Sequence, residues 1–370
     1  MIYKPFKELQ LSRLGMGAMR LPIISGGNDK DIDYNKAQEI IDYAMAKGIN
    51  YFDSAYVYHS GESEVFLGKA LSKYNRDSYY ITSKYHVGAN PNYEEVFEQQ
   101  LKRYGTDRID FYLIHCLMDD NIDTYLTNGC IDFFLQKQKE GEITYLGFSS
   151  HSSVKTLARF ADHHQWDFAQ IQLNYYDYYE GSAKKEYEVL KERNIPIMVM
   201  ESVRGGRLAS LNKEAEAVLK KAHPSWSIAS WAFKWLKGLS QVQLCLSGMT
   251  TIDQIIDNVD TFQAEEGLSA EVEKTLLKAL DLFKSSIKVP CTGCRYCTEG
   301  CPKEINIPEI LKVFNEYKLD GSWALRNIKS VQTKGFPKDC INCKACTKHC
   351  PQSIRIPSIM KELTEALENK

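Results

Sequence analysis

Eight of the 11 cysteines in this 370-residue chain fall after residue 290, in two runs of one spacing. Cys291, Cys294, Cys297 and Cys301 precede Pro302, and Cys340, Cys343, Cys346 and Cys350 precede Pro351. Each run reads C-x2-C-x2-C-x3-C-P, the ligand run of bacterial [4Fe–4S] centres, whose fourth cysteine serves the neighbouring cluster. The x2 steps let three thiolates converge from one tight loop, while the x3 step points the last one elsewhere. The spacing therefore predicts one cluster on Cys291, Cys294, Cys297 and Cys350, and another on Cys340, Cys343, Cys346 and Cys301. A pair of zinc knuckles is the alternative, because C-x2-C is also a zinc spacing. Zinc, however, has no use for a third x2 step followed by x3-C-P. Cys116, Cys130 and Cys245 read as ordinary thiols.

A second set of proton-handling residues stands at the ends of apolar runs. Asp53 closes the run 50–54, with Tyr56 and Tyr58 in the loop that follows; Lys84 ends 79–85, and His115 ends 109–115. A tyrosine, with an ordinary pKa of about 10, donates a proton poorly at neutral pH unless a cation stabilises its anion. Lys84 can supply that cation, Asp53 can hold it charged, and His115 can polarise a substrate oxygen. Such a group would protonate a carbonyl oxygen while hydride arrives at carbon.

Positioning these residues needs a repeating scaffold. Apolar runs at 11–19, 50–54, 79–85, 109–115, 143–149, 168–174, 197–202 and 242–247 read as buried strands. Helical patterns lie between and after them at 36–47, 63–74, 93–104, 131–140, 154–164, 183–193, 228–239 and 251–262. Eight strand–helix units in about 255 residues predict a (β/α)8 TIM barrel, whose chemistry sits at the C-terminal ends of its strands. A doubly wound sheet fits less well: Leu14-Gly15-Met16-Gly17-Ala18-Met19 lacks the third glycine and the following helix of a dinucleotide turn. The expected domains are a barrel over 1–265, a linking helix within 266–289 (pattern 270–286), and a small, mainly helical cysteine-rich domain over 290–370, with helices at 308–318 and 357–368.

At this point a family resemblance emerges. Asn50-Tyr51-Phe52-Asp53-Ser54-Ala55-Tyr56-Val57-Tyr58, Gly61-Glu62-Ser63-Glu64, Gly68-Lys69-Ala70-Leu71, Ile81-Thr82-Ser83-Lys84 and Leu113-Ile114-His115 resemble the aldo/keto reductase family. The resemblance covers the first 265 or so residues and implies a catalytic tetrad of Asp53, Tyr58, Lys84 and His115, with Tyr58 rather than Tyr56 as the acid. It also implies a nicotinamide site. Ser149 and Ser150 match the family's Ser-Asn, with Ser in place of Asn, and Gln172 matches the amide partner, with Tyr175 close by in sequence. Ser202, Arg204, Gly206 and Arg207 match the loop over the pyrophosphate, while Ser247, Gly248, Thr250, Asp257 and Asn258 match the adenosine end. Gln254 stands where an Arg often holds a 2′-phosphate, which leaves NADP and NAD both open. The tail is similar to a two-cluster ferredoxin domain of the helical type.

Composition narrows the function class. Lys plus Arg number 46 against 48 Asp plus Glu, a net charge of −2, without the basic excess of a nucleic-acid binder. With 44% hydrophobic residues the chain can bury a sizeable core. No apolar run reaches 18 residues and the N-terminus lacks a signal-peptide pattern, so the expectation is a cytoplasmic protein without membrane segments, its thiols reduced. The leading reading is an oxidoreductase that reduces a small-molecule carbonyl or similar polarised bond with NADP or NAD and carries two [4Fe–4S] clusters for electron transfer. Nicotinamide moves two electrons and a cluster one, and a flavin is the usual converter. A second reading is therefore a ferredoxin-linked enzyme with a flavin in the barrel, exchanging electrons with a redox protein such as ferredoxin or flavodoxin. A third is a binding subunit with structural or sensing clusters.

Overall fold

The computed structural model describes residues 1–264, 266–284 and 288–368, and divides them into two compact units. The first comprises Met1–Val203 and Ala229–Ser269. Its centre is a closed barrel of eight parallel strands: β1 Leu14–Gly17, β2 Tyr51–Asp53, β3 Tyr80–Tyr85, β4 Ile109–Leu117, β5 Ile143–Ser150, β6 Phe168–Gln172, β7 Ile197–Met200 and β8 Val242–Ser247. Closure runs through β8 and β1, where Cys245, Leu246 and Ser247 register with Leu14, Gly15 and Met16. The run expected as one strand over 11–19 is divided. Leu9–Ser12 pairs antiparallel with Tyr3–Phe6 in an N-terminal hairpin, and only Leu14–Gly17 joins the barrel.

The strands form where apolar and aromatic residues must be buried on both faces, as parallel sheets require. Inside the barrel, Tyr51, Phe111, Leu113, Tyr145, Phe168, Met198, Leu244 and Leu246 make one cluster with Phe6 and Leu11 of the hairpin. Phe6 meets Tyr145 edge-on, with ring centroids 5.1 Å apart. Each such buried ring contributes about 1.5–3 kcal/mol relative to exposure. Gly147 is obligatory on β5: a Cβ there would lie 2.5 Å from the Phe168 carbonyl oxygen. Helix α1 (Tyr34–Ala46) shows how the outer ring is specified. Asp33 caps it by accepting from the Lys36 N–H, and Ala37, Ile40, Ile41 and Ala44 form its buried stripe. Helices α2 (Glu62–Leu71) and α3 (Tyr93–Tyr104) follow β2 and β3.

The second unit comprises Arg204–Ile228 and Ala270–Lys370. Its helices include Lys213–Ala222, Ala270–Lys284, Ile307–Asp320 and Ile356–Glu368, with a 3-10 stretch over Gly321–Ser330. The expected helix over 270–286 is thus present to Lys284, and its last two residues lie outside the described ones. Lys213–Ala222 is absent from the sequence reading. Its capping residue Asn212 donates from Nδ2 to the Leu282 carbonyl at 3.0 Å, a partner 70 residues away. The cysteine-rich part has a core of its own, in which Ile310, Leu311, Phe314, Met360 and Leu363 pack with Cys291, Cys297 and Cys346. No helix among the described residues is long and apolar enough to cross a membrane.

Candidate active site and cysteine pockets

Strand ends bring the four tetrad residues together. Asp53 is the last residue of β2, Lys84 the penultimate residue of β3, and His115 lies near the end of β4. Tyr58 sits on a short turn beyond β2, where the next two residues, His59 and Ser60, adopt left-handed backbone angles (φ 52° and 56°). Two successive non-glycine residues in that region cost about 1–2 kcal/mol each, strain that aims the tyrosine. Lys84 Nζ donates to Asp53 Oδ1 at 2.7 Å and to the Ser54 carbonyl at 2.5 Å. It lies 4.8 Å from the centre of the Tyr58 ring, and that ring meets His115 edge-on at 5.8 Å. Lys84 is 0%, His115 2%, Asp53 3% and Tyr58 8% exposed.

This burial sets the electrostatics. It pushes the Asp53 carboxyl up and the Lys84 ammonium down, each opposed by the attraction of its partner. Burial and then the Lys84 charge hold His115 well below its ordinary value, so its imidazole is neutral at pH 7. The neutral ring presents one N–H, which suits a group that polarises an oxygen without competing to protonate it. Its Nδ1 has no hydrogen-bond partner among the described residues.

A layer of residues behind Lys84 was not assigned from sequence. Glu64, fully buried on α2, receives Arg103 Nη1 at 2.7 Å and Gln100 Nε2 at 3.0 Å, and the Ser83 hydroxyl also donates to it. Gln100 Nε2 also donates to the Lys84 carbonyl at 3.0 Å, and the Tyr112 hydroxyl donates to Gln100 Oε1 at 2.6 Å. Glu64 thus adds a second negative charge that supports the Lys84 ammonium. The signal was present in Gly61-Glu62-Ser63-Glu64, but only the fold shows where its second acid points. His86, two residues beyond Lys84, meets His115 edge-on at 5.6 Å.

The residues expected at the cofactor are placed as follows. Ser149 accepts the Cys116 N–H at 2.8 Å, leaving its own O–H to donate, and Ser150 shares a hydrogen bond with Ser152 at 2.8 Å. Gln172 Nε2 donates to Asp177 at 2.7 Å, and Ser202 donates to the Leu246 carbonyl at 3.0 Å. Tyr175 is buried, which raises its hydroxyl pKa. Ser247 receives Asn258 Nδ2 at 3.1 Å. Thr250 donates from its hydroxyl to the Arg20 carbonyl at 2.8 Å, and Gly248 packs against the Arg20 stem. Asp257 accepts the Thr261 hydroxyl on its carbonyl at 3.0 Å. Gln254 completes a capping box with Thr251, so its amide is spent on the helix N-terminus. Of the expected diphosphate loop, Ser202 folds with the barrel, whereas Arg204, Gly206 and Arg207 fold with the second unit. There Arg207 Nε donates to the Cys291 carbonyl at 3.0 Å and Arg204 Nη2 to the Pro290 carbonyl at 3.4 Å.

The eight tail cysteines gather in two pockets. One is lined by Cys301, Cys340, Cys343 and Cys346, and the other by Cys291, Cys294, Cys297 and Cys350. The thiols ring these pockets rather than meeting at a point. Burial and the neighbouring Cys294, Cys291 and Cys350 raise the pKa of Cys297, the strain expected of four thiols gathered for a shared positive partner. The two loops share one backbone path. Left-handed angles recur at Gly293 and Asn342, at Arg295 and Lys344, and at Glu304 and Ser353. Turning the chain after the second cysteine starts a short helix that carries the third, over Tyr296–Glu299 in one loop and Ala345–Lys348 in the other. The donor set and its mirrored loops fit two four-iron clusters.

Comparison with known proteins agrees with this architecture. The model of the aldo/keto reductase family matches residues 13–280, and that of a 4Fe-4S dicluster domain matches residues 290–354. The oxidoreductase YqkF of Bacillus subtilis (strain 168) is 24% identical over 301 residues, covering 72% of this chain and 92% of its own. A probable aldo-keto reductase 1 of Glycine max is 29% identical over 174 residues, 44% of this chain and 48% of its own. Among solved structures, the holo form of aldo-keto reductase AKR11C1 from Bacillus halodurans superposes with a TM-score of 0.63 at 24% identity. It covers 75% of this chain and 96% of its own. The glycerol dehydrogenase AKR11B4 from Gluconobacter oxydans gives 0.60 at 20% identity, covering 76% and 95%.

Proposed function

The chain belongs to the aldo/keto reductase family and ends in a 4Fe-4S dicluster domain, and from that premise we propose that it reduces a small-molecule carbonyl or similar polarised bond with NADPH or NADH, with two [4Fe–4S] clusters in its tail. The observation that carries the barrel reading is the buried Lys84 ammonium, held between Asp53 Oδ1 and the ring of Tyr58. A nicotinamide bound at the barrel mouth would supply the hydride. The protein supplies the rest. Tyr58 holds the proton on its hydroxyl and passes it to the substrate oxygen as negative charge develops there. Lys84 stabilises the tyrosinate left behind, and Asp53 with Glu64 keeps Lys84 charged against its burial. His115, neutral, donates one hydrogen bond to the same oxygen and orients the carbonyl.

Ser149, Ser150 and Gln172 would hold the carboxamide, and Ser247, Gly248, Thr250, Asp257 and Asn258 the adenosine end. Because Arg204 and Arg207 donate to the carbonyls of Pro290 and Cys291, we assign both to holding the first cysteine loop rather than to a diphosphate. In the tail, Cys291, Cys294, Cys297 and Cys350 would ligate one cluster and Cys340, Cys343, Cys346 and Cys301 the other, each supplying one-electron chemistry when bound. The test is anaerobic oxidation of NADPH and NADH against a panel of small aldehydes and ketones. Turnover that Tyr58→Phe and Lys84→Met abolish supports the proposal; turnover that survives both refutes it.

A further inference from the structure

The two cysteine loops share spacing and backbone path but not charge. Residues 288–320, which hold the first loop, carry five Lys or Arg and five Asp or Glu, a net charge of zero. Residues 321–355, which hold the second, carry seven Lys or Arg against one Asp, a net charge of +6 in a chain whose total is −2. That single acid, Asp339, is half-buried and caps a short helix, accepting the Phe336 N–H at 2.8 Å. Exposure differs in the same sense. None of the first loop's cysteines is exposed, whereas Cys343 is exposed and its neighbour Ile341 is 57% exposed. Exposed lysines accompany this cysteine in its pocket lining and along the neighbouring chain. Lys303 and Lys344 line the second pocket, Lys338 lies in the short helix leading into Cys340, and Lys348 closes the helix that carries Cys346.

We propose that this face, with Ile341 and Cys343 at its centre and Lys303, Lys338, Lys344 and Lys348 around it, docks a small acidic one-electron carrier protein. The proposal rests on the reading of the second pocket as a cluster site. A basic ring steers an acidic partner and raises its association rate, and the apolar centre gives the encounter a dry contact. An exposed ligand shortens the path for the electron. The exchange moves one electron and no proton: the carrier is oxidised by one electron as the second cluster is reduced by one.

The test uses the full chain, loaded anaerobically with iron and sulfide. Its probes are an acidic plant-type [2Fe–2S] ferredoxin and, as the opposite charge, horse cytochrome c. Binding is read by calorimetry and electron exchange by stopped flow. The ferredoxin should bind at low salt, weaken by about tenfold or more as salt rises from 20 to 200 mM, and outcompete cytochrome c. The triple change Lys338→Glu, Lys344→Glu, Lys348→Glu should weaken it by a further factor of about ten or more, at unchanged iron content. The same charge change placed on the barrel by Lys102→Glu, Lys139→Glu, Lys155→Glu should leave binding unaltered. Equal loss from both triples, no loss from either, or equal binding of the two probes would overturn the proposal. A wild-type chain that takes up no iron would overturn the cluster reading first, and the iron assay shows that separately.

Discussion

The barrel and the tail manage buried charge in opposite ways. In the barrel, Lys84, Asp53, Glu64 and Arg103 come from strands and helices spread over 51 residues of sequence, and each charge is answered by another. In the tail, one local spacing, used twice, gathers eight thiols around two pockets whose charged lining, Arg295 at one and Lys303 and Lys344 at the other, is basic. The barrel's buried charges are therefore answered within the fold. Under the proposed function the contrast follows the electron count, because a proton and hydride would be delivered together in a dry, fixed geometry, whereas a single electron needs only proximity and a tuned potential.

The sharpest break in this comparison separates the two halves chemically. Tyr58→Phe should lower turnover by about 10²–10⁴-fold while iron content stays unchanged; steady-state NADPH oxidation and an iron assay on one sample check it. Cys346→Ser is the converse. It should remove one of two clusters, halve the iron and lower the unfolding temperature of the tail, whose core contains Cys346, while the barrel's aldehyde turnover persists. A third change probes the layer behind Lys84. Glu64→Gln leaves the partly exposed Arg103 guanidinium without its carboxylate and should destabilise the barrel by about 1–3 kcal/mol, as loss of a hydrogen-bonded charged partner does. It should also move the alkaline limb of the rate profile to lower pH, since Lys84 loses a charge that favours its ammonium; Glu64→Asp should restore part of both. Denaturant unfolding and a pH–rate profile read the two effects.

A smaller effect concerns pH alone. Burial holds His115 well below its ordinary value of about 6.5 and His151 at about 4. The unfolded chain then binds the protons that the folded one refuses. Barrel stability should therefore be unaffected above pH 6.5 and fall as the pH drops below it, by about 1.4 kcal/mol per unit for His115. Unfolding midpoints between pH 7.5 and 5 check this, and His115→Gln should flatten the slope.

Much of the barrel was legible because its signals are local. Buried parallel strands read as apolar runs, and the tetrad residues sit where those runs stop. The two cysteine pockets were legible because all eight cysteines lie in two short repeats. What escaped depends on partners distant in sequence. The end of the hairpin, Leu11 and Ser12, and the barrel strand after it look like one apolar run, and only pairing separates them at Arg13. Lys213–Ala222 folds with Ala270–Lys284, its cap reaching Leu282. Arg204 and Arg207 match a pyrophosphate loop in sequence, and what the sequence does not disclose is their contact with the carbonyls of Pro290 and Cys291, 86 and 84 residues ahead. The Glu64–Gln100–Arg103 layer was hidden for the same reason, since helix α3 gives no sign in sequence of what its polar face meets.

The central claim is that one chain joins a proton-donating reductase barrel to a pair of four-iron clusters. Its most direct test is anaerobic quantification of iron, acid-labile sulfide and zinc on the purified full chain. The account predicts about eight iron and eight sulfide per chain, with negligible zinc, as two four-iron clusters on eight cysteines require. Stoichiometric zinc with little iron, or iron without sulfide, would contradict it.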